Sequence, residues 1–109
     1  MKIINGKQLK QILDAGRPLV LLEALPEKYY RSGHLPGAVA LAPDQVDRQA
    51  ANLIPDRAAP VVVYCASETC NNSHQAAARL SQLGYQDVTV YPGGKAEWQE
   101  LGFPLVKPG

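Results

Sequence analysis

The chain has little of what marks secreted, membrane-bound or nucleic-acid-binding proteins. Among its 109 residues are only two cysteines, two histidines, one tryptophan, one phenylalanine and one methionine. Two cysteines are too few for a disulfide scaffold, and in a cytoplasmic protein they read as reduced, catalytic or redox-active. No apolar run is long enough to span a bilayer. The opening Met1-Lys2-Ile3-Ile4-Asn5-Gly6 leads into an amphipathic pattern without the apolar stretch of a signal peptide, so a cytoplasmic location is expected. Net charge is only +1, and the 11 Lys and Arg are scattered without a basic block, which excludes nucleic acid and membrane as expected partners. Cys65-x4-Cys70 supplies two metal ligands and only two histidines could complete a set of four, so neither a metal nor any other cofactor is expected.

What is present is ordinary globular composition, 46% hydrophobic and 19% charged, in a length that suits one domain over residues 1–109. Leu9, Ile12 and Leu13 recur at helical spacing before Gly16. Leu19 to Leu22 and Val61 to Tyr64 are continuous apolar runs, the mark of strands covered on both faces. Further strands are expected at 38–41 and 88–91. Helices are expected from Pro26 to Tyr30, from a cap at Asp44 to Leu53, from Ser73 to Leu83 and from Lys95 to Leu101. Strands alternating with short helices predict an α/β fold with a mainly parallel sheet, whose function gathers at the carboxyl ends of the strands.

Cys65 stands at such an end. The polar loop Ala66-Ser67-Glu68-Thr69-Cys70-Asn71-Asn72 follows, then the helix opened by Ser73, read as its N-cap. Strand, loop and helix aim backbone N–H groups and the positive end of a helix dipole at the loop, an environment that favours thiolate. Lowering a thiol pKa by two units takes about 2.7 kcal/mol. A helix dipole supplies roughly 0.3–1 kcal/mol of this. The remainder must come from loop amides bonded to sulfur, because the loop holds no cation. A moderately lowered Cys65 pKa is therefore expected, with Glu68 opposing it if its carboxylate faces the sulfur.

Three separated motifs resemble the rhodanese-like family of single-domain sulfurtransferases. They are Gly33-His34-Leu35-Pro36-Gly37-Ala38, then Val61-Val62-Val63-Tyr64-Cys65, and a closing segment from Gly84-Tyr85 through Gly93-Gly94 and Trp98 to Gly102 and Pro104. The resemblance implies a three-layer domain, with a central, mainly parallel, five-stranded sheet and helices on both faces. It also implies a Cys65 persulfide that carries sulfane sulfur from a donor to a thiol or cyanide acceptor. The donor would be thiosulfate, polysulfide, glutathione persulfide or a persulfide-carrying protein. Two departures bear on that choice. Glu23 and Leu25 stand where the family has Asp and, two residues on, Arg. The loop, counted back from Gly84-Tyr85, is two residues longer than usual and lacks Arg.

Cys70 has two readings: a second thiol that attacks the persulfide or closes a reversible disulfide, or a small residue in the loop wall. For His34 the resemblance implies a structural hydrogen-bonding role beneath the loop. His74, near the loop rim, could deliver a proton or simply lie on a solvated helix face. Glu23 is a supporting candidate, and Trp98 and Tyr85 are read as core. Two other functions stay open. One is a non-enzymatic redox-switch or sulfur-relay module using Cys65 and Cys70. The other is a phosphatase or arsenate-reductase-like activity, although phosphate chemistry wants an arginine clamp that this loop does not contain.

Overall fold

Val61 to Tyr64 decide the layering. All four residues are buried, and successive side chains of a strand point to opposite faces. Val61 and Val63 join Leu22, Ala50, Ile54, Ala76 and Leu80 on one face. Val62 and Tyr64 join Leu9, Leu21, Leu35, Tyr91 and Trp98 on the other. A strand with two apolar faces needs helices on both sides, and the result is three layers.

The computed structural model describes residues 2–108; Met1 and Gly109, the ends of the expected domain, lie outside the described residues. The elements run β1 Lys2–Ile3, α1 Gly6–Asp14, β2 Val20–Glu23, α2 Glu27–Arg31 and β3 Val39–Ala40. A 3-10 turn at Pro43–Gln45 leads into α3 Val46–Leu53, followed by β4 Val61–Tyr64, α4 Asn72–Gln82, β5 Val88–Tyr91 and α5 Gly94–Glu100. The five strands form one sheet in the order β1-β5-β4-β2-β3, and every pairing is parallel. The expected fold class is the observed one.

The chain steps outward from β2 to β3, then returns to place β4 on the other side of β2. The connection after β4 contributes Ala76, Ala77 and Leu80 to one face, while the connection after β2 contributes Leu35 and Ala38 to the other. A crevice therefore opens at the carboxyl ends of β2 and β4, the switch point where parallel sheets place their chemistry. Cys65 is the first residue beyond β4.

Three local expectations are corrected. Lys2–Ile3, expected to lead straight into the first helix, is a short edge strand beside β5. With Ile3 61% exposed, it has no buried pattern to announce it. The first helix itself is closed by Asn5 and Gln8, whose side chains each bond the other's backbone amide. Asp44 sits inside the 3-10 turn and caps nothing; Gln45 occupies the cap position of α3, without a side-chain bond. Ser73 is not the cap of α4 either. Asn71 holds that position without a side-chain bond, and Ser73 is the second residue of the helix, fully buried.

Candidate active site

The Cys65 side chain turns into the protein and is only 1% exposed. Its thiol lies 3.3 Å from the Cys70 carbonyl oxygen and 3.4 Å from Ser73 Oγ. The loop achieves this by curling. Cys70 N–H donates to the Ser67 carbonyl at 3.1 Å, a tight turn that brings Cys70 back over Cys65. The main chain at Cys65 is held from the other side by α5. Lys95 N–H donates to the Cys65 carbonyl at 3.1 Å, and Ala96 N–H to the Ala66 carbonyl at 2.9 Å.

The two sulfurs divide the loop's amides unequally. Burial pushes the Cys65 thiol above its ordinary pKa, and its contact with the Cys70 side chain adds to this. The Ser73 hydroxyl and amide pull the other way without prevailing. Burial also acts upward on Cys70, but the Cys65 thiol and the amides of Ala66 and Asn72 outweigh it and hold Cys70 below the ordinary value. The expectation of a lowered Cys65 pKa is thus overturned. The amides of Ala66 and of Asn72, the first of α4, favour the Cys70 thiolate, and that of Ser73 favours Cys65. Both cysteines are free thiols.

Under the loop lies a buried polar cluster. Glu23, fully buried at the end of β2, accepts from the Tyr64 hydroxyl at 2.8 Å and pairs with the Lys95 ammonium at 3.0 Å. Its second oxygen, Oε2, has no partner. Lys95 Nζ also donates to the Tyr29 carbonyl at 2.7 Å, and Tyr64 accepts from the Leu35 amide at 3.1 Å. Glu23 does not touch Cys65. It acts through Tyr64, the preceding residue, and through Lys95, whose own amide holds the Cys65 carbonyl. Leu25, where the family carries Arg, is buried, and α5 supplies the cation instead.

Sequence reasoning missed Lys95 and Tyr64. A carboxylate expected directly after a core strand, with an apolar residue where the family has Arg, is a signal to look for a replacement cation; Lys95 directly follows the Gly93-Gly94 turn. His34 is buried away from the sulfurs. Its ring stacks on Tyr30 at 3.7 Å, and Nδ1 lies 3.0 Å from the Tyr30 carbonyl. It anchors the turn that reaches Tyr64 through Leu35. His74 is half-buried in the first turn of α4, with no side-chain hydrogen bond. Trp98 and Tyr85 are core residues, as expected.

Beside the loop is a cavity of about 240 Å³, lined by Ser67, Glu68, Thr69 and Gly93 with Ala96, Glu97 and Glu100 of α5. Three carboxylates and no cation border it. A larger cavity, about 590 Å³, lies against α2 and β3 and includes no loop residue. The smaller one is bordered by Ser67, Glu68 and Thr69 of the loop that joins the two cysteines, neither of which lines it. Among the described residues no helix is long and apolar enough to cross a membrane.

The rhodanese-like domain family model matches residues 5–101. A sulfurtransferase of Allochromatium vinosum is 30% identical over 105 residues, covering 96% of this chain and 94% of that protein. An HTH-type transcriptional regulator of Mycobacterium tuberculosis is 28% identical over 102 residues; the match takes in 94% of this chain but spans only 43% of the regulator. Among solved structures, the rhodanese-like domain of an Anabaena protein superposes with a TM-score of 0.84 at 27% identity, over 99% of this chain and 80% of that one. With its all-parallel three-layer sheet and a cysteine at the mouth of the central strand, this chain belongs to the rhodanese-like domain family.

Proposed function

We propose that this protein is a sulfurtransferase that moves sulfane sulfur from a donor to a thiol or cyanide acceptor through a persulfide on Cys65. The observation that carries the reading is the placement of Cys65. It directly follows a central strand, with its carbonyl fixed by Lys95 and its sulfur between Ser73 and the folded-back Cys70. In the first half-reaction the sulfane sulfur passes from the donor to the site, the donor's remaining fragment leaves, and Cys65 carries the sulfur as a persulfide. In the second, the acceptor's nucleophile takes the terminal sulfur and regenerates the Cys65 thiolate. Ser73 holds the charge at each thiolate stage through its hydroxyl and amide.

The setting favours donors of low charge. Glu68, Glu97 and Glu100 border the cavity beside the loop, and no cation answers them. A doubly charged donor such as thiosulfate is repelled there, whereas an organic persulfide, a polysulfide or a protein persulfide meets a smaller barrier. Phosphoryl or arsenate chemistry is disfavoured by the same absence of a basic group. Arg79 is paired with Asp47 on the surface, and Arg57 donates to the Leu83 carbonyl. Two free thiols also accord with a reducing, cytoplasmic setting.

The test is turnover. Wild-type protein with glutathione persulfide and cyanide should form thiocyanate with a higher kcat/KM than with thiosulfate, and Cys65→Ser should form none above background. Equal turnover by Cys65→Ser would remove Cys65 from the mechanism.

A further inference from the structure

We propose that Cys70 is the thiol that first receives the sulfane sulfur and hands it to Cys65, which then holds it for the acceptor. The proposal rests on the sulfurtransferase reading and assigns the route by which sulfur enters the site. Its ground is a mismatch. The residue at the family's catalytic position is 1% exposed, and its thiol is enclosed by the Cys70 carbonyl and Ser73 Oγ. A donor carrying an organic group has to reach a sulfur to transfer to it, and access governs thiol exchange as strongly as pKa. Cys70 is half-buried, the more accessible of the two cysteines. The Ser67–Cys70 turn sets the Cys70 carbonyl 3.3 Å from the Cys65 thiol, so the more accessible cysteine lies against the buried one.

The hydrogen bonds agree with the geometry. The Cys65 thiol donates to the Cys70 carbonyl, and the Cys65 thiol with the amides of Ala66 and Asn72 holds the Cys70 pKa below its ordinary value. Of the two sulfurs, Cys70 is the one biased toward thiolate. Other titratable groups nearby are Glu68 in the same loop, His74 in the first turn of α4, and Glu97 and Glu100 across the adjoining cavity.

The steps balance without an external oxidant. In the first, Cys70 thiolate attacks the terminal sulfur of an organic hydropersulfide. The donor S–S bond breaks, and the released thiolate takes the proton, leaving a Cys70 persulfide anion and a free thiol. In the second, Cys65 gives its proton to the inner sulfur of Cys70 and attacks the terminal sulfur. The new S–S bond forms on Cys65 as the old one breaks, leaving a Cys65 persulfide anion and a Cys70 thiol. One sulfur atom of unchanged oxidation state moves in each step, and total charge is conserved.

Glutathione persulfide is the probe, with rapid alkylation to quench and peptide mapping to locate the added sulfur. In the wild type the sulfur should appear first on Cys70 and later on Cys65. Cys65→Ser should take up one sulfur on Cys70 at the wild-type rate and keep it. Cys70→Ser and Cys70→Ala should both load Cys65 at least about tenfold more slowly at neutral pH, with loading recovering as pH rises, since each unit of thiol pKa changes the thiolate fraction about tenfold. Sulfur appearing first on Cys65, with Cys70→Ser loading at the wild-type rate and an unshifted pH profile, would overturn the proposal and leave the sulfurtransferase reading standing. A wild type that takes up sulfur on neither cysteine would overturn both.

Discussion

A Cβ placed on Gly94 would fall 2.3 Å from the carbonyl oxygen of Cys65 and 3.0 Å from the carbonyl carbon of Ala66. The glycine has a φ of +61°, in the left-handed region, and starts the helix whose next two amides bind those carbonyls. Gly94 thus sets how closely α5 approaches the cysteine. Gly94→Ala is expected to cost at least about 2 kcal/mol in stability and to abolish sulfur transfer, since both conformational strain and collision with backbone apply. Gly37→Ala is the control. Its φ is +82° but nothing lies within 4 Å, so strain alone should lower stability while activity survives. Thermal melts and thiocyanate assays on the two variants check this.

The buried pair Glu23–Lys95 makes a second case. Glu23 is fully buried and the Lys95 side chain is 12% exposed, so removing one partner leaves the other desolvated and unmatched. Lys95→Met should destabilise the protein by about 3 kcal/mol, and adding Glu23→Gln should cost less than the sum of the two single changes. By contrast Arg31→Ala, which breaks an exposed pair with Glu27, should change stability by no more than about 0.5 kcal/mol. Urea denaturation of the four variants gives the comparison.

Much of this was legible in the chain. Val61 to Tyr64 announced a strand buried on both faces, and the small polar run after it announced a loop aimed at a helix start. Cys65 and the sheet's carboxyl edge followed from those two facts. What escaped was set by single long-range contacts. Lys95 reaches Glu23 across most of the sequence, and no local pattern encodes that reach. The direction of the loop amides depends on one turn, Ser67 to Cys70, whose hydrogen bond composition does not specify. Amides expected on Cys65 therefore serve Cys70, and a serine read as a cap is instead a buried partner of sulfur. The edge strand at Lys2–Ile3 was invisible because two exposed residues carry no periodicity.

Thiol reactivity should follow the two opposed pKa shifts. Cys70 is held below its ordinary value and Cys65 above, so as pH rises from mildly acidic values the Cys70 thiolate forms first. Iodoacetamide at neutral pH should alkylate Cys70 at least about tenfold faster than Cys65. Ser73→Ala removes a hydroxyl that favours the Cys65 thiolate, so it should raise the pKa of that thiol further and move its alkylation profile to higher pH. Peptide-resolved alkylation across a pH series reads both effects, and equal rates at the two cysteines would contradict them.

Peroxide supplies an independent readout of how closely the two thiols can approach. Without donor, one equivalent of hydrogen peroxide should oxidise the Cys70 thiolate to sulfenic acid. The Cys65 thiol then displaces water to close a disulfide, with loss of two hydrogens overall. A small thiol should restore both cysteines. In Cys65→Ser no partner is available, and a second equivalent of peroxide should carry the Cys70 sulfenic acid on to sulfinic acid. Intact mass spectrometry distinguishes these products.

Sulfur itself is the most direct probe. Wild-type protein equilibrated with glutathione persulfide, freed of small molecules and weighed intact should carry one added sulfur atom that maps to Cys65 and leaves as thiocyanate when cyanide is added. Folded protein that gains no sulfur under saturating donor, or whose added sulfur never leaves for an acceptor, would contradict the assignment of Cys65 as a sulfur carrier.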